Sequence, residues 1–201
     1  MAKKPTSPVV KEYPTIGVCG LDCGLCPRYY TAGPSRCPGC AGPDFFHKHP
    51  SCSFITCAVR NKSLEACGEC SDFPCAKFKS EKEYGQVKES SSYPPYRKVM
   101  ANLRAIKEHG IEAFVKQQAK RIKLLERMLA HFDDGRSKSC YCRSAALLDP
   151  AALESALDAA TRKVKADRVP PDDAKTKARI LRDFLDDRAV GPGVTLSLIH
   201  I

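Results

Sequence analysis

Ten cysteines fall within one stretch of 57 residues: Cys19, Cys23, Cys26, Cys37, Cys40, Cys52, Cys57, Cys67, Cys70 and Cys75. Six of them form three C-x2-C pairs, Cys23/Cys26, Cys37/Cys40 and Cys67/Cys70. Two intervening residues let both sulfurs converge on one ion from a tight turn, and the thiolate is the form that binds metal. In Cys37-Pro38-Gly39-Cys40 the glycine also allows a left-handed turn that brings backbone N–H groups toward the sulfurs. One such pair is a weak signal, whereas three pairs with four further cysteines are a strong one. All ten read as metal ligands.

Zinc fits this donor set best. It accepts four thiolates in a tetrahedron, needs no redox chemistry and stabilises small domains that lack a core. Ten cysteines fill two four-thiolate sites with two left over. His47 and His49 would complete a third set, against the plainer reading of two exposed loop histidines. The rival is an iron–sulfur cluster, which the same thiolates bind. Cys19-x3-Cys23-x2-Cys26 has the spacing of the cluster-binding triplet in radical S-adenosylmethionine enzymes, but those place it in a βα-barrel with more strands than this chain supplies. Cys140 and Cys142 stand apart. Cys140 reads as a small buried residue beside an interhelical loop, and Cys142 is left open between packing, remote ligation and redox activity.

The elements that must position these residues divide into two kinds. From Ile16 to Phe78 the chain is rich in Gly, Pro and Cys with few apolar residues at regular spacing, so metal ligation is expected to supply the folding energy. Beyond it the pattern is helical. Pro94 and Pro95 suit a helix start, Tyr96, Val99, Leu103 and Ile106 recur at helical spacing, and Gly110 suits the residue after its end. A second run carries Phe114, Gln118, Ile122, Leu125, Leu129 and Phe132 on one face and stops at Gly135, so the two runs predict an αα-hairpin. Asp149-Pro150 is an N-cap with proline at the first helical position, followed by the stripe Leu153, Leu157, Ala160 and Val164. Asp172 and Asp173 start the last helix, with Ala178, Leu181 and Leu185 on its face.

The expected fold is therefore a small cysteine-rich metal-stabilised module followed by a mainly α-helical region of about four helices. The expected division is an arm at 1–15, the module at 16–80, a connector at 81–92, the helical region at 93–190 and a disordered tail at 191–201. Leu196-Ser197-Leu198-Ile199-His200-Ile201 is the translation of CTG TCT CTT ATA CAC ATC, bases that match a transposon-end sequencing adapter. The natural chain is expected to end or be cut near Val194.

Composition bounds the function. The chain has 201 residues and twelve cysteines, too few for a disulfide miniprotein of this length. No apolar run approaches a membrane span, and the first eighteen residues lack the apolar stretch of a secretory signal. A cytoplasmic, reducing location is the expectation, where clustered cysteines more often bind metal than form disulfides. The formal charge is +10 from 33 basic and 23 acidic residues, spread along the chain, and thiolate sites would lower it. Such a balance permits nucleic acid or an acidic partner without identifying one.

The segments CGLDCGLCPRYY at 19–30, CPGC at 37–40, CSFITCAV at 52–59 and, most specifically, CGECSDFPC at 67–75 resemble a cysteine-rich bacterial and archaeal family called domain of unknown function 3795. The resemblance is good across 16–80. It continues more weakly through YPPYRKVMANLRAIKEHG and KSCYCRSAALL, where Cys142 rather than Cys140 stands at the recurrent position. It implies a small cytoplasmic protein with metal ligation at the matched cysteines, and it implies no activity.

Function follows the same lines. There is no Gly-rich phosphate loop, no G-x-S-x-G turn and no H-E-x-x-H pair, so the reading is a non-catalytic zinc module whose helices meet a protein partner. An iron–sulfur electron-transfer protein is the alternative. Nucleic-acid binding is the third reading, resting on Arg97, Lys98, Arg104, Lys107, Lys116, Lys120, Arg121, Lys123 and Arg127, with Tyr29, Tyr30, Phe45 and Phe46 as stacking candidates. A catalytic zinc centre would need a base such as Asp22, Glu69 or Asp72, and Asp22 equally suits a helix cap.

Overall fold

The computed structural model describes residues 10–49, 52–78 and 94–189. These residues are mainly helical: α1 (Phe45–Lys48), α2 (Pro94–Arg97), α3 (Val99–His109), α4 (Ile111–Phe132), α5 (Lys138–Leu147), α6 (Pro150–Ala166) and α7 (Ala174–Arg188). Among them there is no strand, only an isolated antiparallel bridge between Ile16 and Asp22. The cysteine-rich part adds 3₁₀ turns at Cys23–Leu25, Cys67–Glu69 and Ala76–Phe78 and a π-helical stretch at Ile55–Arg60. The expected connector at 81–92 and the tail at 191–201, with its adapter-like end, lie outside the described residues.

The chain forms two compact units, residues 1–24 with 28–115, and residues 25–27 with 116–201. The first unit corrects the expectation that the cysteine-rich segment has no core of its own. Ile16, Val18, Ile55, Ala58, Phe73 and Phe78 cluster with Met100, Leu103 and Ile106 of α3 in one buried core. The apolar residues are too irregularly spaced to show as a stripe, and α3 supplies the face they pack on. Packing there is close. A Cβ added to Gly68, in the Cys67–Glu69 turn, would stand 2.5 Å from the carbonyl oxygen of Leu103.

Residues 10–15 are docked rather than loose, which corrects that end of the expected arm. The Lys11 N–H donates to the Ala41 carbonyl at 3.1 Å, and the N–H groups of Glu12 and Tyr13 each donate to the Glu65 carboxylate at 2.9 Å. The Lys11 side chain is buried with its ammonium donating to the Ile16 carbonyl. Backbone pairing to two remote segments, invisible in local composition, holds this stretch. Residues 1–9 lie outside the described residues.

In the second unit several end signals act as expected. Asp149 accepts the Ala151 N–H with Pro150 at the first helical position of α6, and Asp173 accepts the Thr176 N–H at the start of α7. In the first unit Gly110, at φ 82°, likewise ends α3 with its N–H on the Ile106 carbonyl. Leu153, Leu157 and Ala160 of α6 and Ala178, Leu181 and Leu185 of α7 are buried, and α6 packs on α7. Helix α5 is the element the apolar pattern does not show. Its Cys140, Tyr141, Cys142, Ser144, Ala145 and Ala146 are all buried, leaving Lys138, Ser139 and Arg143 as too few polar positions to set a clear period against. Arg121 of α4 donates to the carbonyls of Ala145 and Leu148, satisfying groups that the end of α5 leaves open.

Candidate thiol centre

Nine of the ten candidate ligands belong to the first unit, and short turns hold them. Cys70 N–H donates to the Cys67 carbonyl at 3.1 Å, Phe73 N–H to Cys70, and Phe78 N–H to Cys75. The Glu69 carboxylate, aimed backward, accepts the N–H groups of both Glu65 and Ala66 at 2.8 Å. Oε2 of this carboxylate is thus engaged by the backbone. Asp22 is likewise engaged. It is buried, and its Oδ2 accepts from Asn102 Nδ2 at 2.9 Å.

The nine sulfurs fall into two neighbourhoods. Around Cys67, burial first and then the charges of Cys19, Cys75, Cys57 and Cys70 push the thiol up to about 12. Around Cys23, burial and then Cys40, Cys19 and Cys37 raise the thiol well above its ordinary value. Cys40 is pushed up to about 11, first by burial, with Cys19 and Cys52 adding to it. Cys19 thus acts on both groups. Among the described residues no three His, Cys, Asp or Glu side chains stand close enough to hold a metal ion as placed.

Two lysines bear on these groups, and local spacing reveals neither. The buried Lys11 lowers the thiols of both Cys23 and Cys40 against the effect of burial. Lys62 reaches Cys70 Sγ at 3.0 Å and Asp72 Oδ2 at 2.6 Å. The Asp72 carboxylate, first through that hydrogen bond, lies below its ordinary range, and it too is spent. The Cys40 sulfur also accepts the Val18 N–H at 3.5 Å. Positive groups and N–H donors aimed at sulfur favour the thiolate.

The two histidines separate. His47 is exposed, while His49 stacks on Phe45 at 4.5 Å between ring centroids and places Nε2 3.4 Å from Cys37 Sγ. Burial first, then Arg28 and Lys48, lower the His49 imidazole below its ordinary value, which favours the neutral form that can ligate a metal. The Phe45 ring packs partly against the core, and Tyr30 donates its hydroxyl to the Gly24 carbonyl. Of the nine basic residues considered for nucleic acid, Lys107 donates to the Phe73 carbonyl, Arg121 ends α5, and Arg127 pairs with Asp158.

Cys26 is placed apart from the other nine, in the second unit. Cys140 and Cys142 are buried on α5. None of the twelve cysteines is joined in a disulfide. No described helix is long and apolar enough to cross a membrane.

No curated protein and no solved structure matches the chain. A family model does, over the stretch that carries the two thiol neighbourhoods. Residues 15–80 match "Protein of unknown function (DUF3795)", the family that the cysteine motifs of this region resemble.

Proposed function

We propose that the first unit is a structural metal-binding module that holds zinc through its cysteine thiolates, and that the helical second unit serves contact with a protein partner. The observation that carries the reading is Cys67, a largely buried thiol with four other cysteines, Cys19, Cys57, Cys70 and Cys75, acting on it. Gathering that many thiols in a partly desolvated space is costly unless a cation compensates them. The two lysines beside the sulfurs and the neutral imidazole next to Cys37 add to the same side. The role is structural because the nearby carboxylates, Glu69 and Asp72, are occupied by backbone N–H groups and by Lys62. Twelve cysteines with no disulfide among them suit a reducing, cytoplasmic setting.

Elemental mass spectrometry on protein purified without oxygen, with an absorbance spectrum of the same sample, tests this. Zinc at one or more per chain and no visible band is the expected result. Iron with matching sulfide and a visible band would replace zinc by an iron–sulfur cluster on the same thiolates. Protein free of both would overturn the reading.

A further inference from the structure

We propose that His49 is a metal ligand, joining Cys37 through Nε2 so that one ion of the first unit is held by nitrogen as well as sulfur. The proposal rests on the zinc reading above and changes its donor set, since the site at Cys37 becomes mixed instead of all-thiolate. The observation that carries it is the approach of His49 Nε2 to Cys37 Sγ, 3.4 Å across 12 residues of sequence. Zinc lies about 2.3 Å from a thiolate and about 2.0 Å from an imidazole nitrogen, so a tetrahedral angle sets the two donors about 3.5 Å apart. The pair already stands at that spacing.

The end of α1 separates the two histidines. His47 lies within α1 and is exposed. His49 is the residue just after the helix. Its backbone turns extended, at φ −131° and ψ 144°, while its N–H still donates to the Phe45 carbonyl at 2.9 Å. The ring then lies along Phe45, with 4.5 Å between centroids and 17° between planes, and Phe45 itself packs against the core. The stack fixes the imidazole plane and leaves the ring edge to meet the sulfur.

Cys37 is held from the other side. Its N–H donates to the Arg28 carbonyl at 2.9 Å, and Arg36 before it donates from Nε to the Tyr29 carbonyl at 3.1 Å. Lys48 Nζ donates to the Arg36 carbonyl at 2.9 Å. The residue before His49 is therefore tied to the residue before Cys37, which brings the two donor segments into register. Both donors are half-buried, so an ion can reach them from solvent. Ligation through Nε2 keeps the ring proton on Nδ1, and the Cys37 thiol proton leaves to solvent as the ion binds. The turn that carries Cys37 also offers Cys40 as a third donor.

The test uses the full chain with its zinc exchanged for the NMR-active isotope of cadmium, a soft ion that accepts the same thiolate and imidazole ligands. Proton–cadmium correlation then names the ligands in the unmutated protein. The expected result is one cadmium resonance coupled both to the Cys37 β-protons and to the His49 ring protons. His49→Phe keeps a ring to stack on Phe45 but has no lone pair, and it should release zinc to a chromophoric chelator at least about 10-fold more readily. His47→Phe should release it as the wild type does. Cadmium coupled to cysteines but to no His49 proton overturns the proposal and leaves the zinc reading standing, with the contact reduced to a thiol–imidazole hydrogen bond. Zinc held equally well by His49→Phe does the same, and so does coupling to His49 without Cys37. A chain that binds neither ion overturns the zinc reading and the mixed site together.

Discussion

Asn102 donates through Nδ2 to two acceptors at once, the Gly20 carbonyl and Asp22 Oδ2, each at 2.9 Å, across 82 and 80 residues of sequence. Asn102 is 7% and Asp22 5% exposed, so α3 fastens the Cys19–Cys23 turn through a buried amide. Removing one partner of a buried hydrogen bond costs the desolvation of what remains, about 1–3 kcal/mol, more for a charged acceptor. Asn102→Ala is expected to destabilise the first unit by at least that much in urea unfolding followed at a first-unit probe. A midpoint equal to the wild type would show that the amide carries no stability.

Gly68 tests the fit of the Cys67–Glu69 turn against α3. A Cβ there would meet the Leu103 carbonyl at 2.5 Å and Ile106 Cβ at 2.9 Å, backbone and branched carbon that cannot swing aside. Overpacking of this kind costs about 1–3 kcal/mol. Gly68→Ala should lower the thermal midpoint and speed proteolysis within 52–78, while amide protection in α6 and α7 stays as it was. Unchanged proteolysis would mean that the turn shifts freely.

Lys62 offers a charge-assisted donor to Cys70 Sγ. Groups that orient or polarise a metal ligand typically change metal affinity by about 10-fold or more when removed. With zinc bound as proposed, Lys62→Met is expected to release it to a chromophoric chelator about 10-fold more readily, and Lys62→Arg to recover much of the loss. Equal release from all three proteins would detach Lys62 from the site.

The N-cap of α7 predicts a pH dependence. Asp173 lies below its ordinary carboxylate value, first because its side chain hydrogen-bonds Thr176 and then because it accepts the Thr176 N–H. A carboxyl lowered in the folded state stabilises the fold fully above its unfolded value, and the contribution is lost as pH falls through the folded one. Amide protection at the start of α7 should therefore hold from neutral pH down to about 4 and fall below it. Asp173→Asn keeps a capping oxygen without the titration, so its protection should be flat over the same range. A matching fall in the variant would assign the effect to other carboxyls.

What the sequence displayed and what it hid differ in range. Asp149-Pro150, Gly110 and the α7 stripe are local devices, and each was legible because its partner lies within a few residues. The cysteine spacing was legible for the same reason. The docking of residues 10–15 on Ala41 and Glu65, the core shared with α3 and the Lys62–Cys70 contact depend on remote partners and left no local mark. Helix α5 was hidden for another reason, since six buried residues of small or polar type among its ten blur the alternation that reveals an amphipathic helix. The long stripe of α4 was legible only approximately: Leu125 and Phe132 are buried as read, while Leu124 and Met128 are buried where Ile122 and Leu129 were expected.

With zinc bound as proposed, stripping it would separate the two energy sources of the first unit. Its apolar core of Ile16, Ile55, Phe78, Leu103 and Ile106 is built of side chains that bind no ion, whereas the Cys67 thiol, pushed up to about 12, holds its proton at pH 7 in the absence of a cation. Chelator treatment is therefore expected to loosen the Cys67–Cys75 loop without abolishing the unit, and rebinding zinc should release protons, about one per thiolate ligand. The release can be read with an indicator dye in weak buffer, and the loosening from cleavage sites under limited proteolysis. Complete unfolding of residues 10–78 on chelation would mean that the core is too small to stand alone and that ligation dominates. Rebinding without proton release would mean that the thiols are not the ligands.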